Sequence, residues 1–289
     1  MWKFLFVTEG DHADRSVKSY VDSGPHSDLR LQQEIKEVLK KFGAAILPWI
    51  VPLIIIAVWE ICSVTGWLSS RVLPEPLAVF RAGFRLLVSG ELWLHVRISA
   101  LRAFSGFAIG SSLGLLLGLL TGSFRSIELL LDTTLQMIRN IPALALIPIV
   151  ILWFGIDEAA KLFLIAFGVF FAVYINTFHG IRSVDPALIE MGKSYGLKGF
   201  SLYREIIIPG AIASILVGIR YALGSMWVIL IVAETISAQS GIGYMTMNAR
   251  EFLQTDVVLL GILLYAGLGK LADVGARQLE RRWLKWHFA

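Results

Sequence analysis

Cysteine is almost missing from this chain of 289 residues: Cys62 stands alone. An internal disulfide is therefore excluded, and so is a thiolate metal cluster. Charge is scarce as well, at 17% Asp, Glu, Lys and Arg, against about 25% in an ordinary soluble domain. No His-Glu-x-x-His run exists, and His12, His26, His95, His179 and His287 are too scattered to suggest a shared metal. No glycine run has the order that cradles a dinucleotide. Gly192-Lys193-Ser194 looks like the end of a phosphate-binding loop, but that loop needs glycine five residues earlier, where Ala187 stands. It would also have to follow a strand. Catalysis and nucleotide binding are therefore not expected on this chain. The N-terminus has only Phe4-Leu5-Phe6-Val7 before Glu9, Asp11 and Asp14, too short a run for a secretory signal.

What the chain has in quantity is apolar sequence: 56% hydrophobic residues and a mean hydropathy of +0.70. These values mark an integral membrane protein. The net charge of +4 is modest, and much of it flanks apolar runs, a topology signal rather than a nucleic-acid footprint. Six spans are expected, at about 44–68, 98–122, 137–154, 162–178, 211–233 and 257–274, each near the roughly 20 residues that cross a bilayer. Residues 1–27 are polar and read as poorly ordered. Residues 28–42 carry Leu31, Ile35, Val38 and Phe42 at helical spacing, which suits a helix at the membrane surface. The division is then 1–43 as a cytoplasmic segment and 44–289 as the membrane domain. Leu77–Val88, with Arg81 and Arg85, is expected at an interface rather than across the membrane.

Basic residues set the orientation. They cluster before the first span (Lys36, Lys40, Lys41), between the fourth and fifth (Arg182, Lys193, Lys198, Arg204) and after the sixth (Arg277, Arg281, Arg282, Lys285). With six spans these regions share one side, the cytoplasm. The first outer loop, with Arg71, Arg81, Arg85 and Arg97, fits this less well. Gly106, Gly110, Gly114, Gly118 and Gly122 recur every four residues. They form one stripe along the second span, where a neighbouring helix can approach closely.

The loop at 182–209 has coherent local chemistry. Asp185 can cap a helix that begins at Pro186. That helix places Leu188, Met191 and Tyr195 on one face, and Gly196 suits the left-handed position that ends it. Ser201 can cap a second short helix through Ile207, and Pro209 is expected to break the chain before the fifth span. Charged helix–turn–helix sequence cannot sit in hydrocarbon, so it must project into water as a knob.

At Glu190-Met191-Gly192, Gly196 and Ile206-Ile207-Ile208-Pro209 the sequence resembles the membrane subunit of ATP-binding-cassette importers. The family has Glu-Ala-Ala, three residues, Gly, nine residues, then Ile-x-Leu-Pro. Met191 and Gly192 replace both alanines, and Ile208 replaces leucine. Further resemblance runs through Leu131–Gly155, Asn176–Asp185 and Ala233–Asp256. It is closest to permeases for aliphatic sulfonates, in the group that also handles taurine, nitrate and bicarbonate. The first forty or so residues lie outside it. The resemblance implies an all-α, six-helix type I importer domain in a bacterial inner membrane, with both termini cytoplasmic. It also implies a second copy of the chain, two cytosolic ATP-binding subunits that carry ATP and Mg, and a periplasmic solute-binding protein. Glu190, Met191, Gly192, Tyr195, Gly196 and Pro209 would then form the element that couples to the ATPase.

Polar residues inside spans are candidates for the substrate pathway: Arg139, Asn140, Arg220, Ser225 and Glu234. Each has a structural alternative. Arg139 can snorkel to the interface, and Glu234 can pair with Arg250. Ser237–Gln254 is polar, with Gly241-Ile242-Gly243 breaking any helix, and reads as an outer gate or a plain connector. The competing class is a secondary transporter driven by an ion gradient, which would show internal repeats and mid-membrane acidic residues.

Overall fold

The computed structural model describes Leu47, residues 49–67, Ser69 and residues 73–283. The expected surface helix at 28–42 and the polar segment before it lie outside the described residues. Among the described residues the secondary structure is helical, with no strand. Contacts divide the chain into two units, 1–67 and 68–289. In the first, helix α1 (Trp49–Val64) is apolar and leaves Trp49, Ile54, Ile55 and Ile61 exposed. As described, it is about 24 Å long at 1.5 Å per residue.

The second unit is a bundle. Helix α2 (Pro76–Val88) has proline in its first turn and buries Val79 and Ala82. Helix α3 (Glu91–Ser123) follows after Gly90, whose φ is +84°. Helix α4 (Arg125–Arg139) and helix α5 (Ile147–Phe154) return the chain, bent by 84° at the break between them. The expected third span, 137–154, is therefore not one helix. Pro142 is the reason: it disfavours helical backbone at Ile141 and donates no N–H, and its own ψ is 129°.

Helix α6 (Glu158–Arg182), capped by Asp157, then runs parallel to α3. The glycine stripe makes that pairing possible. A Cβ on Gly106 would lie 2.7 Å from Ile165 Cβ, and one on Gly118 2.6 Å from Thr177 Cβ. Residue pairs 106–165, 110–166, 118–177 and 122–181 keep step along both helices. The stripe is a close-packing seam, as its spacing predicts.

Helix α7 (Pro186–Ser194) forms the knob. Beyond it a single turn at Phe200–Leu202 leads through a π-helical turn, Tyr203–Ile207, into helix α8 (Ile208–Ser237). Phe200–Ile236 is thus one rod of 37 residues, about 55 Å long. Pro209 does not break it. The Ile208 N–H reaches back five residues to the Tyr203 carbonyl, and this wider turn makes room for a ring that would otherwise strike the preceding turn. Ser201 does not cap the rod either. Gly199 occupies the N-cap position, while the Ser201 hydroxyl donates to the Lys198 carbonyl at 2.8 Å.

Helix α9 (Ile242–Glu251) occupies much of the expected polar connector and buries Ile242, Gly243, Met245 and Ala249. Helix α10 (Thr255–Trp283) packs antiparallel to α8, and Leu260 on it faces Gly83 of α2. Four described helices, or five counting the bent pair, have the length and apolarity to cross a membrane.

Candidate functional site

Opposite ends of the bundle carry two constructions. At one end stands the knob. The Asp185 carboxylate accepts the Ala187 N–H at 2.8 Å, with Pro186 at the first helical position. At the other terminus of α7, Gly196 has φ +86°. Its N–H reaches the Lys193 carbonyl at 3.0 Å, and the Leu197 N–H reaches that of Gly192 at 3.0 Å. These two bonds satisfy the last carbonyls of the helix in the Schellman arrangement. Gly192 is buried because Leu202 and Ile206 of the rod press on it: a Cβ there would lie 3.0 Å from Leu202 Cδ1. The face predicted from spacing points away from the bundle. Leu188 is 45% exposed, Met191 48% and Tyr195 82%. Glu190 is exposed as well. The knob thus holds an apolar face clear of the rest of the bundle on a helix capped at both ends.

The knob is tied to the bundle at both sides. Arg182, at the end of α6, pairs with Glu128 of α4, and the Tyr203 hydroxyl donates to the Ser123 carbonyl at 3.3 Å.

The other end holds a buried polar cluster. The Glu234 side chain is wholly inaccessible. Its two oxygens accept from Ser99 Oγ (2.8 Å to each), Arg102 Nη1 (2.8 Å), the Gly243 N–H (2.9 Å) and the Tyr265 hydroxyl (3.0 Å). Arg102 turns its other nitrogens to Glu158, with Nε and Nη2 each at 2.6 Å from a carboxylate oxygen. Lys161, also buried, donates to Glu158 at 3.0 Å. Glu158 is the exposed edge of the group, at 54%, and the buried Glu234, Arg102 and Lys161 each have an oppositely charged partner, as burial requires. Glu234 pairs with Arg102 rather than with Arg250, whose guanidinium lies near Met247 Sδ.

The pathway candidates do not converge. Arg139 and Asn140 are exposed at the break after α4. Arg220 is paired across to α10, with Asp273 at 3.0 Å and Glu280 at 3.5 Å. Ser225 donates to the Ala222 carbonyl of its own helix. Glu234 lies 14 residues further along the rod than Arg220, about 21 Å away. Ser99, Arg102, Glu158, Lys161 and Tyr265 were not singled out from sequence. Arg102 carried a signal, since it is a full charge inside the expected second span.

With this geometry in hand, likeness to known proteins is informative. Residues 110–285 match the family described as the binding-protein-dependent transport system inner membrane component. This chain belongs to that family. A protein of Escherichia coli described as an aliphatic sulfonates transport permease, SsuC, is 61% identical over 249 residues, covering 86% of this chain and 95% of that one. Its counterpart of the same description in Bacillus subtilis is 46% identical over 253 residues, covering 86% and 92%. The crystal structure of an amino acid ABC transporter with histidines matches with a TM-score of 0.52 at 20% identity, over 69% of this chain and 96% of that chain. At that identity the likeness is one of fold. Family membership fits a chain of apolar helices with a protruding polar knob.

Proposed function

We propose that this chain is the permease subunit of an ATP-driven importer that carries aliphatic sulfonates across a bacterial inner membrane. A second copy completes the translocation path. Two cytosolic ATP-binding subunits, which hold ATP and Mg, grip the α7 knobs, and a periplasmic solute-binding protein delivers the cargo to the other face. Both termini, and residues 1–43 with the N-terminus, lie in the cytoplasm. Residues 44–289 form the membrane domain.

One observation carries the reading: a stiff, doubly capped helix holds Leu188, Met191 and Tyr195 out of the bundle in a chain with the importer family's spacing around Glu190, Gly196 and Pro209. Close identity with two sulfonate permeases supports the cargo class. ATP closes the cytosolic subunits, the knobs move with them, and the membrane cavity switches access.

The test is uptake of butanesulfonate into proteoliposomes that contain this chain, its ATPase and its binding protein. Uptake that stops without ATP and survives a collapsed ion gradient is expected. Uptake that follows the gradient and ignores ATP overturns the reading in favour of a secondary transporter. Equal competition by nitrate or bicarbonate overturns the sulfonate preference, and stronger competition by taurine, itself an aminoalkanesulfonate, shifts the cargo to taurine.

A further inference from the structure

The buried cluster around Glu234 leaves no room for cargo. All the accepting positions of the carboxylate are filled by the protein's own donors, from Ser99, Arg102, Gly243 and Tyr265. What it does is join helices. Three successive backbone N–H groups at the start of α9 are each taken by a side chain from another helix. Gly241 donates to His95 Nδ1 at 3.1 Å, Ile242 to Ser99 Oγ at 2.8 Å and Gly243 to Glu234 at 2.9 Å. The chain folds tightly over the carboxylate. Gly241 has φ +112°, and a Cβ on Gly243 would lie 2.5 Å from Glu234 Cβ. An anionic group under a helix N-terminus is also favoured by the helix dipole.

Arg102 extends the joint. It holds Glu234 near the end of α8 and Glu158 at the start of α6. Those are the two helices between which the knob is strung: α6 ends at Arg182 just before it, and the rod begins at Phe200 just after it. The knob and the clasp therefore sit at opposite ends of the same pair of helices. A displacement of the knob reaches Glu234 through one unbroken rod of 37 residues, and the carboxylate is bonded to the backbone of α9.

We infer that Glu234 is a positioning residue that passes the movement of the α7 knob to helix α9 at the opposite end of the bundle. This inference rests on the proposed function, because it takes the knob as the place where the ATPase acts. A buried ion pair adds little net stability over an apolar packing of equal volume, so a directed mechanical link is a sufficient reason for its presence. Removing the charge should loosen α9 from the rod while leaving the knob's own response in place.

The experiment uses the complete transporter in lipid nanodiscs, with Cys62→Ser as background. Spin labels are placed at exposed positions, Ala187→Cys on the knob or Glu251→Cys on α9, and the distance between the two copies is measured without nucleotide and with trapped ATP. In the otherwise unaltered protein both positions should shift on trapping. In Glu234→Gln the shift at 187 should persist, and that at 251 should fall to less than about half. A purely structural role would move both positions together or neither. Tyr265→Phe, which removes a single hydrogen bond, is the milder second variant and should weaken the 251 shift in the same selective way. An undiminished 251 shift in either variant overturns the inference, as does parallel loss at both positions. No shift at 187 in the unaltered transporter overturns the proposed function instead.

Discussion

Replacing Gly110 with alanine gives the sharpest test of the packing. The new Cβ would lie 2.8 Å from Ala166 Cα and 2.9 Å from the Ala166 carbonyl carbon, and closer still to its oxygen. Carbon atoms prefer separations of about 3.5–4.0 Å, so α3 and α6 must part by somewhat under about 1 Å. All three neighbours are backbone, and none can rotate away. Overpacking of this kind costs about 1–3 kcal/mol. Alanine's better helix propensity returns about 1 kcal/mol, leaving a net loss of about 0–2 kcal/mol by the same two terms. Gly122→Ala meets Ile181 Cβ, Cδ1 and Cγ2 at 3.1–3.2 Å, a shortfall of a few tenths of an ångström, and should cost less than Gly110→Ala. Gly224→Ala meets nothing within 4 Å and should stabilise by up to about 1 kcal/mol. Unfolding of the detergent-dispersed single chain by sodium dodecyl sulfate, followed by circular dichroism, reads these differences. The predicted order is Gly224→Ala above Gly122→Ala above Gly110→Ala. Three variants within about 0.3 kcal/mol of one another, or Gly224→Ala as the weakest, would refute the parallel α3–α6 seam.

Other outcomes follow from the knob and the clasp. Gly196→Ala forces a side chain into left-handed backbone and should cost about 1–2 kcal/mol; it should also reduce recovery of the ATP-binding subunit in pull-downs, and unchanged recovery with unchanged stability counts against the cap. Tyr195→Ala removes an exposed ring, so stability should stay within about 0.5 kcal/mol while ATPase recovery falls; retained recovery contradicts the docking role. Arg102→Met leaves Glu234 buried without its cation and should cost about 3–5 kcal/mol. Adding Glu234→Gln should recover part of that loss, and strict additivity in this double-mutant cycle would show that the two do not interact.

Local features were legible in the sequence because local chemistry decides them. Asp185, Pro186 and Gly196 mark the ends of α7 by capping rules alone, and both ends form as those rules require. The four-residue glycine period likewise announces a seam without naming its partner. Features decided by distant contacts were not legible. Glu234 and Arg102 are 132 residues apart, and Gly241 and His95 are 146 apart. No spacing rule joins them, so Arg250, near in sequence, was the natural and mistaken partner. Polar Ser237–Gln254 reads as an outer gate or a connector, with no helix expected across Gly241-Ile242-Gly243, because its buried residues, Ile242, Met245 and Ala249, are few and interleaved with polar ones. Two prolines had opposite outcomes. Pro142 ends a helix where nothing compensates for its missing N–H, whereas Pro209 is absorbed by the π turn before it.

The mechanism requires that the knob face the cytosol, where ATP is. A single cysteine at Tyr195, in a Cys62→Ser background, can be probed with a membrane-impermeant maleimide in right-side-out and inverted vesicles. Labelling only in inverted vesicles is predicted. Labelling from the outside of right-side-out vesicles would place the knob in the wrong compartment and contradict the account.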